Sequence, residues 1–366
     1  MDIAALVTEA ARFAERVRGV KHRLGDPGFE WYPYDTMSAI GHLEKLLTGV
    51  NRGLLDGHGR VLDMGSQDGE LAFFLESLGY QVVAADHPAY NHNGMRGIRA
   101  LKAALGSAVE IHEIDADRPF TLPHDSYELV VFLGILYHLR NPFYVLEELA
   151  RRGTRCLLST RVARRLPGGA PLPSNAALAY LLGENELNQD NSNYFIFSEP
   201  ALRVMLDRTH WRILDYVSLG DRFASDPVNP GHDERAFCLL ESRHERLANL
   251  ELLDGWHESE ETGWRWTARE FTARVNAAAG RRVLTMKLYV SDESIARLGV
   301  LTLHASAGGE ALLPAVFDAA GAHSYVREIA APAAEIELRF ALDKALLPEE
   351  ADSRERGIIV ASIRVE

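Results

Sequence analysis

The sequence has only two cysteines among 366 residues, too few for the disulfide framework of a small secreted scaffold. Cys156 in TRCLLST and Cys238 in RAFCLLES stand in short apolar runs that read as buried strands. They could pair with each other, but two free thiols in a reducing cytoplasm are the expectation. Neither lies beside a second cysteine or a histidine at metal-ligand spacing, so no metal site is expected. Apolar runs are short too, none approaching the roughly 18 residues of a membrane span. Acids at Asp2, Glu9 and Glu15 are foreign to a secretory leader, so a cytoplasmic protein without a membrane span is expected.

Positive charge is the next scarcity. The formal net charge is −13. Residues 255–366 hold 17 acids against 13 bases, or −4, and residues 1–254 carry the other −9. Neither part has the basic excess with which nucleic-acid binders neutralise phosphates, which argues against a nucleic-acid partner. What is present is ordinary: 47% hydrophobic and 25% charged residues describe a globular protein, and the length favours two domains.

Residues 1–58 read as an N-terminal helical segment and an aromatic loop. Ile3, Leu6, Val7, Ala10, Phe13, Val17, Val20 and Leu24 recur at helical spacing, opposite a basic face of Arg12, Arg16, Arg18, Lys21 and Arg23 that reads as solvated. The loop GFEWYPYDTM, interrupted by Pro33, offers Tyr34 toward a substrate. A second helical pattern, SAIGHLEKLLTGV, follows.

Residues 59–250 alternate. Seven strand patterns, from RVLDMG to RAFCLLES, are separated by helical patterns at 70–78, 94–105, 142–152 and 198–208, which implies a mainly parallel, doubly wound sheet. Residues 163–197 are too long for a plain connection and read as a lid insertion. Residues 255–366 change texture to short alternating runs parted by glycine turns, the pattern of an all-β sandwich. Leu284, Met286, Leu288 and Val290 point to one face there, as do Ile336, Leu338, Phe340 and Leu342.

The chemistry concentrates in RVLDMGSQDGELAFFLESLGYQVVAAD, residues 60–86. In a parallel sheet a glycine turn of this kind meets a helix N-terminus at the ligand-bearing edge. Its spelling, Gly65-Ser66-Gln67-Asp68-Gly69, lacks the third glycine of a dinucleotide fingerprint, and Asp68 would repel a pyrophosphate. Asp63 instead suits a cationic group, Asp86 the two ribose hydroxyls, and Asp115, read as ending the third strand, an adenine amino group. Such acids could each be a cap or loop carboxylate. Three closing successive strands point to S-adenosylmethionine, a phosphate-free adenosine with a sulfonium and an ammonium.

VLDMGSQDG, VVAAD, IDAD and YELVVFLGILYHLRNPFYVLEEL resemble the class I S-adenosylmethionine-dependent methyltransferases. The resemblance implies a Rossmann-like seven-stranded fold, with Gly65 and Gly69 along the methionine part, Asp86 at the ribose and Asp115 with Ala116 at the adenine. Gln67, His87 and Leu133 complete the expected donor site, and Gln67 departs from the family's usual middle glycine. LGILYHLRNP and NYFIFSEPAL resemble the bacterial tRNA wobble-uridine (5-carboxymethoxyuridine) methyltransferase group. Residues 255–366 resemble β-sandwich modules of polysaccharide glycosyltransferases, where Trp256, Trp264 and Trp266 could stack on sugars or fill a core.

In such a fold the turn after the fourth strand faces the methyl group. His138 is then a candidate general base, with Tyr137 its positioning partner, although His138 also fits a structural histidine. No NPPY or DPPY stands there, which argues against DNA-base amino methylation. Asn93, Arg161, Arg164, Asn193 and Tyr194 are candidates for acceptor binding, the arginines through a carboxylate or phosphate. The expected reaction is O-methylation of a small-molecule or glycan acceptor, yielding S-adenosylhomocysteine. The alternatives are a wobble-uridine-type enzyme, perhaps with a carboxylated donor, and a non-catalytic scaffold.

Overall fold

The computed structural model describes residues 3–47, 55, 59–244, 250–259, 264–277, 280–331, 334–350 and 352–365. The N-terminal periodicity becomes α1 (Ile3–Leu24), whose stripe of Leu6, Ala10, Phe13, Val17 and Val20 is buried. Phe13 packs on Phe74 with ring centroids 5.6 Å apart. The basic face is only partly solvated. Arg12 and Arg18 make exposed pairs with Glu9 and Glu15, but Lys21 turns inward to Asp68 and Glu70. Next, α2 (Ser38–Leu43) buries Ile40 and Leu43.

The alternation then runs β1 (Arg60–Met64), α3 (Glu70–Ser77), β2 (Gln81–Asp86), α4 (Arg96–Leu105), β3 (Glu110–Glu113), β4 (Tyr127–Leu133), α5 (Pro142–Arg152) and β5 (Gly153–Val162). These strands lie parallel in the order β3-β2-β1-β4-β5, with Val61 opposite Val82 on one side and Leu129 on the other. Helices cover both faces, so β1 and β4 are buried almost throughout, as a sheet enclosed on both sides requires. Each fully buried Val or Leu there contributes roughly 1.5–3 kcal/mol.

Two helix starts follow the sequence signals. Asn141 accepts from the Tyr144 N–H ahead of Pro142, and Ser198 accepts from the Ala201 N–H ahead of Pro200. Each satisfies an amide that the first turn leaves open.

After β5 come β6 (Ala179–Leu181), β7 (Phe195–Phe197), α6 (Glu199–Arg208), β8 (Trp211–Gly220) and β9 (Glu234–Ser242). Here β9 is antiparallel to both β5 and β8, wedged between them. This gives the seven-stranded Rossmann-like sheet, to which the insertion adds two short strands: β7 meets β5 at Val162, and β6 pairs with β7. Cys156 on β5 and Cys238 on β9 are buried free thiols, and burial pushes the Cys238 thiol up to about 12.

The chain divides into two units, Met1–Arg243 and His244–Glu366. The second contains β10 (Leu250–Leu252), β11 (Trp256–Ser259), β12 (Arg265–Thr267), β13 (Glu270–Ala277), β14 (Gly280–Val290), the short helix α7 (Asp292–Leu298), β15 (Leu301–Ala307), β16 (Glu310–Phe317), β17 (Gly321–Ala331), β18 (Ala334–Leu342) and β19 (Ile359–Val365). They form two five-stranded antiparallel sheets, β10-β13-β18-β15-β16 and β11-β12-β19-β14-β17. The inward residues of both sheets share one core, including Leu284, Met286, Leu288, Val290, Ile336, Leu338, Phe340 and Leu342. Trp266 is buried under the Arg356 guanidinium. Trp256 is half-buried edge-on to Phe271 and donates its indole N–H to the Thr272 carbonyl. Both rings therefore serve the core.

Candidate functional site

The site is built where β1, β2 and β4 end. At the first turn Gly65 has φ 78° and Gly69 φ 79°, a left-handed backbone that glycine adopts without cost. Space demands glycine as well. A Cβ on Gly65 would fall 2.1 Å from Ile135 Cδ1, and one on Gly69 would fall 2.5 Å from Ile98 Cγ1. Gln67 between them also takes a positive φ, 51°. The residue that departs from the glycine pattern therefore keeps glycine-like geometry. It is held there because its N–H donates to Asp86 Oδ2 at 2.8 Å.

Asp86, the last residue of β2, also accepts from the His87 N–H at 2.8 Å and from Asn91 Nδ2 at 2.9 Å. Burial raises its pKa against the lowering effect of these hydrogen bonds. Asp63 on β1 is more extreme. It is 5% exposed, and burial, reinforced by the Asp86 charge, pushes its carboxyl up to about 7. Four buried polar atoms of this cradle have no hydrogen-bond partner: Asp63 Oδ2, Ser66 Oγ, Gln67 Oε1 and His87 Nδ1. Folding leaves such atoms open only at a cost, so their clustering points to a ligand.

Two expectations about the acids need correction. Asp115 does not end a strand, because β3 stops at Glu113. It lies in the following turn, where Oδ1 accepts from the Asp117 N–H and Oδ2 meets Arg118 Nε at 3.1 Å. Ala116 beside it packs on the apolar core under the sheet. Asp68 is no free charge facing a ligand. It is 2% exposed and binds Lys21 Nζ, the Tyr32 N–H and Asn93 Nδ2. With Asp68 neutralised in this way, only the missing glycine, the buried Asp63 and the half-buried Asp86 stand against a pyrophosphate.

The turn after β4 brings in the second half of the site. Leu133 ends β4, Gly134 has φ 76°, and residues 136–138 form one turn of 3-10 helix. The rings of Tyr137 and His138 lie 4.4 Å apart. His138 Nδ1 stands 2.9 Å from Ser192 Oγ and 3.2 Å from the Ser192 carbonyl. Burial lowers the His138 pKa, Asp190 and Ser192 oppose that, and Arg235 adds to it. The imidazole is therefore neutral at pH 7 and able to take a proton.

The insertion folds onto this turn. The Tyr194 N–H donates to the Tyr137 carbonyl at 2.8 Å, and the Tyr194 hydroxyl accepts from Arg140 Nε. Asn193 is buried, with Nδ2 donating to the carbonyls of Leu187 and Asp190. It shapes the loop and has no free amide for an acceptor.

Three further expectations change for the same reason. Asn93 is 4% exposed, and its amide joins Glu30, Asp68 and Gly97. Arg161 donates to the carbonyls of Asp226 and Asn229 and pairs with Asp233. Arg164 grips the fully buried Glu234 and also Glu199. Asn93 and Arg164 are thus engaged within the protein, whereas Arg161 keeps a buried Nε without a hydrogen-bond partner.

Arg235 on β9 was hidden within an apolar strand pattern, yet it is the cation at the site. Its guanidinium lies 5.7 Å from the Tyr137 ring centroid and 3.5 Å from the Tyr137 hydroxyl. The aromatic loop contributes Tyr32 in place of Tyr34. Tyr34 is 70% exposed, whereas burial pushes the Tyr32 hydroxyl up to about 12, with Tyr137, Asp86 and Arg235 among the groups acting on it.

Residues 40–216 match a family model described as a methyltransferase domain. No curated protein matches the sequence. Among solved structures, the chain is similar to a Bacillus halodurans methyltransferase whose activity is itself inferred, at 18% identity over 56% of this chain and 98% of that one, TM-score 0.40. It is also similar to the N-terminal domain of EvdMO1, solved with SAH and D-fucose, at 15% identity over 66% and 98%, TM-score 0.42. A third is the Burkholderia thailandensis 1,6-didemethyltoxoflavin-N1-methyltransferase, at 16% identity over 65% and 88%, TM-score 0.37. The match to a methyltransferase domain over residues 40–216, just under half of the chain, supports a transferase that uses S-adenosylmethionine.

Proposed function

We propose that the protein O-methylates a small-molecule or sugar acceptor, with Asp63, Gly65, Gln67, Gly69, Asp86, His87, Asp115, Ala116 and Leu133 forming the donor site. The cluster of unpartnered buried atoms around Asp63 fits a ligand bearing cationic and hydroxyl groups. When bound, that ligand supplies an electrophilic methyl group on a positively charged sulfur.

The observation that carries the oxygen assignment is the held imidazole of His138. Its Nδ1 is engaged by Ser192, and Nε2 has no hydrogen-bond partner among the described residues. As general base, Nε2 takes the acceptor's hydroxyl proton while the oxygen lone pair forms the bond to the methyl carbon. The electron pair of the broken C–S bond stays on sulfur, giving S-adenosylhomocysteine. General-base help of this kind is worth roughly 10²–10⁴-fold. Tyr137, Tyr32 and Tyr194 would line the acceptor side and exclude water.

The test is incubation with labelled donor and a panel of hydroxylated metabolites and sugars, for the wild type and His138→Ala. Label should appear as a methyl ether or ester. Turnover by the variant should fall at least a hundredfold with donor affinity unchanged; methylation at nitrogen, or an unimpaired variant, would end the reading.

One observation favours a second reading, a wobble-uridine-type enzyme with a carboxylated donor. Arg235 is a half-buried cation beside Tyr137 and lacks a carboxylate within ion-pair distance among the described residues. A carboxylate on the transferred group would complete it. The mass of the transferred group decides between the two readings.

A further inference from the structure

We infer that Asp190 and Ser192 are positioning residues that hold His138 in the tautomer protonated at Nδ1 and thereby present Nε2 to the acceptor. The inference rests on the base reading of His138 and deepens it.

The hydrogen-bond chemistry fixes the direction of the chain. The Ser192 carbonyl, 3.2 Å from His138 Nδ1, can only accept, so the proton of that contact belongs to Nδ1. Ser192 Oγ, 2.9 Å from the same nitrogen, has its own proton committed elsewhere, because it lies 2.6 Å from Asp190 Oδ1. It therefore turns a lone pair toward the imidazole. Nδ1 meets two acceptors, and a carboxylate terminates the chain. Asp190 Oδ2 stands 4.0 Å from Nδ1, close enough to stabilise the imidazolium that forms when Nε2 takes a proton. No proton moves along the chain, and the one on Nδ1 stays there throughout.

The charged and titratable groups facing His138 are Asp190 from the insertion, Arg235 from β9 and Tyr137 from its own turn. Asp190 is the one carboxylate among them, and its charge opposes burial and Arg235 at the imidazole. Its second bond, from the Ser192 N–H to Oδ1 at 2.8 Å, shapes the loop. An asparagine would retain that acceptor while losing the charge. Asp190→Asn therefore separates a role in shaping the loop from a role toward His138.

The experiment is nitrogen NMR of histidine-labelled full-length protein, with the His138 signals identified by their loss in His138→Gln. The expected neutral form has Nδ1 protonated and Nε2 bare. Asp190→Asn should lower the His138 titration midpoint by roughly half a pH unit or more, and Ser192→Ala should admit the other tautomer. A wild-type signal from the Nε2-protonated tautomer, or a midpoint unmoved in Asp190→Asn, would overturn the inference. A His138→Gln enzyme methylating its acceptor at the wild-type rate would instead remove the base reading, which the NMR result alone does not touch.

Discussion

Lys21 Nζ lies 2.9 Å from Asp68 Oδ2 and 2.7 Å from Glu70 Oε1, so the end of α1 is bonded to the glycine turn of the donor site. Asp68 is almost wholly enclosed, and removing its cation leaves a buried carboxylate short of one partner. Replacing Lys21→Met should cost about 3 kcal/mol of stability in urea unfolding, in line with other broken buried pairs. It should also weaken S-adenosylhomocysteine binding, read by calorimetry. An arginine at this position should restore most of the stability.

Asp63 gives the protein an uncommon pH response. Burial pushes its carboxyl up to about 7 in the fold, from an ordinary 3.8. Between those values the native state holds a proton that the unfolded chain has lost. Stability contributed by this group is therefore full below about pH 4 and declines as pH rises toward 7, by at most about 1.4 kcal/mol per unit. Asp63→Asn should flatten that decline in thermal melts of the ligand-free protein. A donor ammonium near the carboxylate should also expel the proton. Calorimetry at pH 6 in buffers of different ionisation heat should then show proton release in the wild type and none in Asp63→Asn.

Gly65→Ala meets two obstacles at once, a left-handed φ and Ile135 Cδ1 at 2.1 Å. The side chain in the way is flexible, but it belongs to the turn that carries Tyr137 and His138. Donor affinity should fall at least tenfold, with a stability loss of about 1–3 kcal/mol. A double variant with Ile135→Ala should recover part of the stability and little of the affinity.

Arg164 and Glu234 form a structural pair in which the glutamate has no exposure. Arg164→Met should lower the stability read by urea unfolding by about 3 kcal/mol. Donor affinity should stay within twofold, and acceptor KM should not respond to whether the acceptor is charged. Preferential loss of anionic acceptors would instead return Arg164 to the acceptor site.

The doubly wound sheet was legible because its signals are local. Strand runs, the glycine turn, Asn141 with Pro142 and Ser198 with Pro200 each act within a few residues. The alternating strands of residues 255–366 were legible for the same reason. Asp63, Asp86 and His138 stand near strand ends or in turns, where a local reading can single them out as candidates. Arg161, Arg164 and Asn93 could not be judged, since partners such as Asp68, Asn229 and Glu234 lie 25, 68 and 70 residues away in sequence. Arg235 was masked by its apolar strand, and Tyr32 by a loop in which four aromatics look alike. Lys21 sits among other bases on α1, and nothing in the pattern marks it as the one that turns inward.

The strand β9 lies beyond the last residue of the matched segment, and α1 lies before its first. One is wedged into the sheet between β5 and β8, and the other supplies the cation that the glycine turn leans on. A fragment trimmed to residues 40–216 would open an unpaired edge along β5, shed Arg235, and strand Asp68 without its counter-ion. The shortest piece able to fold and bind must therefore reach from α1 through β9, and attempts to dissect this enzyme should cut outside those limits.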